Sequence, residues 1–270
     1  MKHAIQKGIS AILASLILAA ALTVLSFAAD SISVFVTVSD GSGKLPVAYE
    51  KVKATDRNGD GSVTVDEVLY AAHEAEFTGG ADAGYASAEG TYGTYITRLW
   101  GVENGGSYGY YRNHAACMSL DDVCEDGDLI VAFVYSDTQT YSDAYCYFET
   151  DVKKIYNGDE VTLTLNQVGF DENYNTVVSP LADAAITIDG KETEYKTDAN
   201  GQVTLEADAT GIFIVSATVE GKTIVPPAYQ MVVNGPKTGD DAPLLTYAFI
   251  AVLSMGVVVA LLTTKPKHAE

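Results

Sequence analysis

The chain has 270 residues, which is enough for two modest domains. It carries 36 acidic and 16 basic residues, so its formal net charge is −20. Such an acidic chain is repelled by the phosphates of nucleic acids and by anionic membrane surfaces, and we exclude both as expected partners. The charge is compatible with a solvated extracellular surface and with binding of a cation.

Residues 1–28 predict a secretory signal peptide. Lys2 and Lys7 form a basic start, and an apolar run extends from Ile9 to Leu25. The small residues Ser26 and Ala28 then fit a cleavage site after Ala28. The alternative interpretation is an N-terminal membrane anchor that is not cleaved.

The segment 56–67 matches the calcium loop of an EF-hand from its first position to its twelfth. Gly61 stands at the sixth position, where the loop bends sharply and a Cβ is unfavourable. Calcium is a hard cation that takes six to eight oxygen ligands. We therefore predict Ca²⁺ as a cofactor, and the alternative is an acidic turn without a metal. The predicted ligands are Asp56, Asn58, Asp60, Ser62, Thr64 and Glu67.

The flanks of this loop differ from those of a standard EF-hand. Glu67–Glu76 is rich in Ala, Leu and Glu and predicts a helix, on which His73 is expected to be partly exposed. Val47–Thr55 has no helical periodicity and predicts a strand or an extended segment. A single loop without a preceding helix favours a structural staple over a switch, and it resembles the loop-helix half of a dockerin repeat.

The region from residue 78 to 113 is rich in Gly, Ala, Ser and Tyr. Strands are predicted at Ile32–Val38, Gly93–Trp100, Tyr108–Arg112 and Leu129–Tyr135, with a turn at 104–107 joining the second and third of them. Aromatic side chains are favoured at binding surfaces, so one interpretation is a ligand surface; the other is core packing. The candidate ligand-binding residues are Tyr92, Trp100, Tyr108, Tyr110 and Tyr111.

Three motifs in this part of the chain carry a family resemblance. They are Tyr95–Gly101 (YITRLWG), Gly109–Asn113 (GYYRN) and Gly127–Val131 (GDLIV). Together they resemble the transcobalamin-like family of bacterial surface domains, whose function is unknown. The resemblance covers residues 29–150 and implies a small β-rich α+β domain. The resemblance also makes cobalamin or another tetrapyrrole a candidate extracellular ligand, beside a glycan or a peptide.

Residues 151–233 predict a β-sandwich, because Val161–Leu165 alternates and short strands follow at close spacing. The segments 180–190 and 197–205 resemble the prealbumin-like or bacterial immunoglobulin-like repeats that space surface proteins from the cell wall. Asp198 and Asn200 are either metal ligands or, as we prefer, an Asx turn that opens a hairpin. The fold class predicted for the whole chain is mainly β, with an α+β domain followed by a sandwich.

The C-terminal region combines a linker at 234–243, an uncharged span at Leu244–Leu262 and a basic tail at 263–270. Pro236-Lys-Thr-Gly239 precedes the span, and this order resembles the sorting signal of Gram-positive surface proteins. The resemblance implies cleavage by a sortase between Thr238 and Gly239 and attachment to peptidoglycan. Gly235 replaces the usual Leu, which leaves the class of sortase open. A plain single-pass transmembrane helix is the alternative, and both interpretations place the folded part outside the cell.

No catalytic motif is present in the sequence. His73 and His114 are the only histidines left after processing, and neither stands near a nucleophile motif such as Gly-x-Ser-x-Gly. We predict that the protein is not an enzyme; a hydrolase with paired carboxylates is the alternative. The odd number of cysteines, at Cys117, Cys124 and Cys146, favours small buried thiols, with a Cys117–Cys124 bridge as the alternative.

The sorting hypothesis predicts the covalent state of the mature chain. Wild-type protein should end at Thr238 and be released only by peptidoglycan hydrolases. The Thr238→Ala variant should keep its C-terminal helix and become extractable with detergent, because the apolar span then holds it in the membrane. Mass spectrometry of the C-terminal peptide distinguishes the two. A wild-type protein that detergent extracts completely, with its sequence intact to Glu270, would contradict sorting.

Overall fold

The computed structural model describes residues 31–150, 154–173 and 175–236. These residues are mainly β, which confirms the coarse fold class predicted from the sequence. Within these ranges no helix is both long and apolar enough to cross a membrane. The expected signal peptide, sorting motif and C-terminal transmembrane helix lie outside the described residues.

The N-terminal unit, residues 31–143, is built on a five-stranded mixed sheet in the order β2-β1-β7-β5-β6. Strands β1 and β7 run parallel, and the other neighbours in the sheet are antiparallel. A separate hairpin pairs β3 with β4. The strands of the unit are β1 (Ser31–Ser39), β2 (Val47–Thr55), β3 (Ala86–Gly90), β4 (Gly93–Arg98), β5 (Tyr108–Arg112), β6 (Ala115–Ala116) and β7 (Leu129–Val134).

One helix, α1 (Val65–Glu76), covers one face of this sheet, and a short helix, α2 (Ala81–Gly84), follows it. Thr64 caps the N-terminus of α1 through a capping box. The Thr64 side chain accepts from Glu67 N–H, and the Glu67 side chain accepts from Thr64 N–H. The buried side of α1 packs on alternate residues of β1 and β7, as the period-2 pattern of a strand requires. The side chains in this core include Val65, Val68, Leu69, Ala72, Val34, Val36, Val38, Ile130, Ala132 and Val134.

The turn predicted at 104–107 does not join a hairpin. Strand β4 pairs with β3, whereas β5 pairs with β7, so the two strands that the turn was expected to connect are not neighbours. Asn104 instead fixes the connection: its Nδ2 donates to the carbonyl oxygens of Ser107 and Tyr135. The prediction was wrong because β7, the next long strand in the chain, offers β5 an antiparallel partner that is buried on both faces.

The C-terminal unit, residues 144–236, is a β-sandwich. One sheet has the order β11-β10-β8-β16, with β14 also paired to β10, and the other has the order β13-β12-β15-β17-β9. Leu163 and Leu165 from the first sheet meet Ile186 and Val215 from the second in its core. The strands are β8 (Ala144–Glu149), β9 (Ile155–Tyr156), β10 (Glu160–Phe170), β11 (Thr176–Pro180), β12 (Ala185–Ile188), β13 (Lys191–Lys196), β14 (Gln202–Glu206), β15 (Gly211–Thr218), β16 (Ile224–Val225) and β17 (Tyr229–Asn234).

Two details of this unit differ from the expectation. The domain boundary was expected after residue 150, but β8 pairs with β10 from Tyr145 to Glu149 and belongs to the sandwich. Asp198 does form an Asx turn, since its Oδ1 accepts from the N–H groups of Asn200 and Gln202 at 2.8 Å each. That turn connects the two sheets rather than opening a hairpin, because β13 and β14 lie in different sheets.

The two units meet at a buried aromatic contact, here called the inter-unit cluster. The N-terminal sheet contributes residues from the face opposite α1, and the sandwich contributes residues from β8, β10 and β16. Tyr111 stacks on Tyr145 with ring centroids 3.8 Å apart, and Phe133 lies within 6.2 Å of Tyr145. The cluster consists of Tyr111, Val131, Phe133, Tyr145, Val168 and Val225.

Gly109 provides a test of this packing. It lies in β5 with ordinary backbone geometry, and an added Cβ would collide with the buried ring of Phe133. The ring is held by Tyr111 and Tyr135, so the Gly109→Ala variant should lose about 1–3 kcal/mol of unfolding free energy. Gly169→Ala is the matched control, because Gly169 also lies in a strand and its nearest neighbour would be 3.9 Å away. Equal denaturant midpoints for the two variants would contradict the described packing.

Candidate calcium site

The candidate loop joins the end of β2 at Thr55 to the start of α1 at Val65. Two of its residues have left-handed backbone conformations, Gly59 with φ 78° and Gly61 with φ 92°. Residues with a Cβ rarely adopt this conformation, so the two glycines allow the chain to reverse within a few residues. The sequence therefore produces a tight loop locally, before any contact with the rest of the fold is considered.

Side-chain oxygens fold the loop around its own backbone. The Asp56 carboxylate accepts from Gly59 N–H at 2.6 Å and from Gly61 N–H at 2.8 Å. Asn58 Oδ1 accepts from Asp60 N–H, and Asp60 Oδ1 accepts from Ser62 N–H, each at 2.9 Å. These successive Asx turns place the oxygen-bearing side chains of the loop on its inner side.

Glu67 connects the two ends of the loop. Its Oε1 accepts from Arg57 N–H at 2.5 Å and from Asn58 N–H at 3.3 Å. Its Oε2 accepts from Thr64 N–H at 3.0 Å, which is the reciprocal bond of the capping box. The side chain is only 4% exposed. The residue at the twelfth position of the loop is therefore a buried carboxylate whose two oxygens both accept from backbone N–H groups.

A pocket of about 380 Å³ opens beside the loop. Five of the six predicted ligands line it, namely Asn58, Asp60, Ser62, Thr64 and Glu67. Its remaining wall includes the oxygen-bearing side chains of Asp66, Glu89, Thr94 and Asp121. The Arg57 side chain also borders the pocket, and its guanidinium stacks over the Tyr70 ring at 3.2 Å from the centroid.

The donor chemistry fits calcium, although the acidic groups of the loop are not gathered at one point. Among the described residues, no three His, Cys, Asp or Glu side chains form a group that could hold a metal. In the loop, the carboxylates of Asp56 and Glu67 are hydrogen-bonded to backbone N–H groups, and Asn58, Ser62 and Thr64 supply the other oxygens. The loop is bent by glycines and offers only oxygen ligands, which a hard cation prefers. Calcium binding is compatible with this chemistry and stays a prediction.

The exit of the loop is held by a segment that sequence reasoning did not connect with it. Cys124 N–H donates to Val63 O at 2.8 Å, and Asp66 N–H donates to Leu120 O at 3.0 Å. Residues 120–124 thus pair with the loop as a short strand would. Asp121 in this segment lies beside the pocket, and hydrogen bonds from Thr94 and Ser119 lower the pKa of its carboxyl. No sequence motif marks this contact, because its two sides are far apart in the chain.

The five aromatic residues proposed as a ligand surface are not brought together. Tyr92 is 92% exposed at the tip of the β3–β4 hairpin. Trp100, Tyr108 and Tyr110 pack against the core under α1, and the Tyr108 hydroxyl lies 2.8–2.9 Å from two backbone carbonyl oxygens that compete for its proton. Tyr111 points to the opposite face of the sheet, into the inter-unit cluster, and is 7% exposed. Four of the five therefore have packing roles in the described structure.

His73 is fully buried, so the expectation of a partly exposed side chain was wrong. Its Nδ1 lies 2.6 Å from Leu69 O and must donate to it, and its Nε2 accepts from Trp100 N–H at 3.1 Å. Tyr85 and Trp100 lie about 5 Å from the ring. Both ring nitrogens are satisfied with the neutral form, and burial lowers the pKa of His73.

His114 and the cysteines are also structural. His114 Nδ1 lies 2.9 Å from the Tyr145 hydroxyl, and the imidazole stacks on Tyr147 at 4.0 Å, so burial lowers the pKa of His114 to about 4. The three cysteines are free thiols, and burial raises the pKa of each to about 12. Thiols with so high a pKa are poor nucleophiles at neutral pH, which fits the expectation of small core residues.

No protein-family model, curated protein or solved structure matches the chain. The resemblances to transcobalamin-like domains, to immunoglobulin-like repeats and to a sorting signal consequently stay predictions from the sequence. What the described residues add is the geometry of the loop, the pocket and the two cores.

The two histidines predict how stability depends on pH. Both have a folded-state pKa below the ordinary value of 6.5, so the unfolded chain binds more protons than the folded chain below about pH 6.5; for His114 this window extends down to about pH 4. Their contribution is complete above about pH 6.5 and is lost as the pH falls through this window. His114→Gln can keep a hydrogen bond to Tyr145 without titrating, and it should flatten the curve of unfolding free energy against pH. A wild-type curve that rises on acidification across this window would contradict the assignment.

Proposed function

We propose that the protein is a calcium-binding protein anchored at the surface of a Gram-positive cell, with an N-terminal unit that binds a ligand or mediates adhesion and a sandwich that serves as its stalk. The observation that carries the proposal is the loop 56–67. Its sequence has an oxygen-bearing residue at each ligand position of a calcium loop, and its glycine bends and the buried Glu67 carboxylate support the proposal.

The residues that would hold the ion are Asp56, Asn58, Asp60, Ser62, Thr64 and Glu67. A bound divalent cation would supply positive charge to a loop whose Asp56 and Glu67 carboxylates accept mainly from backbone N–H groups. Because Glu67 lies in the first turn of α1 and Asp56 follows β2, an ion held by both would link the sheet to the helix that covers it. We therefore propose a stabilising role for calcium rather than a switching role.

Surface attachment is supported by the sequence at the two ends of the chain and by the position at which the sandwich ends. A secretory leader, a Pro-Lys-Thr-Gly motif, an uncharged span and a basic tail occur in the order that sorting requires. The sandwich ends with β17 at Asn234, immediately before the linker. In the proposed arrangement the sandwich lies between the wall and the calcium loop, with sortase and peptidoglycan as partners.

The ligand of the N-terminal unit is proposed only as a class. Tyr92, at 92% exposure, and the half-exposed Tyr95 belong to the β3–β4 hairpin, which borders the loop pocket. Val123 is also half-exposed and lines the same pocket. Exposed aromatic side chains next to an acidic pocket suit contact with an uncharged or basic molecule, such as a glycan or a peptide. The described residues contain no feature that favours a corrinoid over these.

The calcium proposal predicts a change in thermal stability. Extracellular calcium modules bind with dissociation constants of roughly 10⁻⁴–10⁻³ M. At ten times the dissociation constant, calcium should add about 1.4 kcal/mol to the unfolding free energy if it binds only the folded chain. Glu67→Gln should lose this increment, because it keeps a carbonyl oxygen for the helix cap but removes the charge and the bidentate carboxylate. Melting temperatures with calcium and with a chelator measure the difference.

Glu76→Gln is the matched control. It removes the same charge from the same helix, but Glu76 is exposed and lies outside the loop and its pocket. This variant should respond to calcium as the wild type does. A wild type whose melting temperature is the same in calcium and in chelator would contradict a structural calcium site, whatever the variants do.

A further inference from the structure

Asn58 is followed by Gly59, and this pair is chemically reactive. In an Asn-Gly pair the glycine nitrogen can attack the side-chain carbonyl of the asparagine, since glycine has no side chain to obstruct the approach. The chain contains several such pairs, and all of them lie within the described residues; their asparagines are Asn58, Asn104, Asn157, Asn200 and Asn234. We propose that Asn58 is a self-modification site, at which the loop converts its own amide into a carboxylate.

The loop prepares both reacting groups at this pair. Gly59 N–H donates to the Asp56 carboxylate at 2.6 Å, which places negative charge against the attacking nitrogen. Asn58 Oδ1 accepts from Asp60 N–H at 2.9 Å, which polarises the carbonyl that is attacked. Gly59 has φ 78°, and no atom lies within 4 Å of the place where a Cβ would stand, so no side chain of this residue or packed against that side of it crowds the pair.

The other pairs lack this combination. Gly158 and Gly201 donate to neutral backbone carbonyls, those of Ala207 and Asp198. The Asn104 amide is fixed by the carbonyls of Ser107 and Tyr135.

Of the other three asparagines outside the loop, two have side-chain amides that are held in a similar way. Asn157 Nδ2 donates to Asp208 O, and Asn234 Nδ2 donates to Ile155 O. Asn58 Nδ2 also has a partner, Asp60 Oδ2 at 2.9 Å, but that partner is an exposed carboxylate in the same loop. We therefore expect Asn58 to react first.

The reaction is balanced with water as the only co-reactant. The Asp56 carboxylate takes the Gly59 amide proton as Gly59 N forms a bond to Asn58 Cγ, and the carbonyl electrons move to Oδ1, which accepts from Asp60 N–H. The electrons then return from Oδ1, the Cγ–Nδ2 bond breaks, and ammonia leaves with the proton that Asp56 gives back through water. The product is a five-membered succinimide. Water then opens it at Cγ to give aspartate at position 58, or at the backbone carbonyl to give isoaspartate.

The consequence for calcium rests on the proposed function. An aspartate at position 58 would add a carboxylate at the third position of the loop, where the sequence now has a neutral amide, and more charge gives tighter calcium binding. Isoaspartate would instead insert a methylene group into the backbone and displace the glycine bends. The same pair can therefore strengthen the loop or disable it, and a bound ion that engages Asn58 Oδ1 and Asp56 should slow the reaction.

Peptide mapping of the full-length chain tests the proposal. The protein is held at neutral pH, with calcium or with chelator, and digested by pepsin at acid pH, where succinimide formation is suppressed. Amide-to-acid conversion at Asn58 should be several-fold faster in chelator than at Asn104, Asn157, Asn200 or Asn234. Asp56→Asn should slow conversion at Asn58 without changing the other four rates, because a neutral amide replaces the charge beside Gly59 N–H.

The outcomes separate this proposal from the proposed function. Conversion at Asn58 that is no faster than at the other pairs, or that is unchanged in Asp56→Asn, would overturn the self-modification site. Fast conversion at Asn58 together with equal melting temperatures in calcium and chelator would leave the modification standing and remove the calcium function. If the protein is stabilised by calcium, Asn58→Asp should bind it more tightly than the wild type, and weaker binding would overturn the predicted consequence.

Discussion

The structure depends on the burial of β7 on both of its faces. Ile130, Ala132 and Val134 lie in the core under α1, and Val131 and Phe133 lie in the inter-unit cluster. A strand that is apolar at every position cannot leave either face in water, so it needs a cover on each side. The helix supplies one cover and the sandwich supplies the other. The two units are therefore joined by packing and not only by the chain between them.

The position of the loop follows from the position of this strand. The segment 120–124 leads into β7, and it is also the segment that pairs with Val63, Val65 and Asp66 at the exit of the loop. Arg112 and Asn113, at the end of β5, donate hydrogen bonds to the side chain of Asp128, which directly precedes β7. These bonds fix where β7 begins. The loop is thus held against a part of the sheet that is ordered by the burial of β7. Calcium would act on a loop whose exit is already fixed, which is why we infer a staple and not a switch.

The aromatic residues illustrate how burial overrides composition. The stretch from Tyr92 to Tyr111 suggested a ligand surface because tyrosine and tryptophan are common at binding sites. Strand β5 places Tyr108 and Tyr110 on one face and Tyr111 on the other, and both faces are covered. His73 was expected near the surface of its helix, yet it lies among Tyr85, Phe77 and Trp100 with both nitrogens bonded. The alternation of a strand is visible in sequence, but whether its second face is covered is not.

The sequence by itself determined the features whose causes are local: most of the strands, the helix after Glu67, the Asx turn at Asp198, and a loop bent by Gly59 and Gly61. Each follows from the conformational preferences of a few consecutive residues. Only the tertiary structure decided that β5 pairs with β7, that β8 belongs to the sandwich, that residues 120–124 hold the loop, and that Tyr111 is buried. These contacts extend beyond the reach of local conformational preferences, and burial of apolar side chains, such as those on both faces of β7, stabilises them.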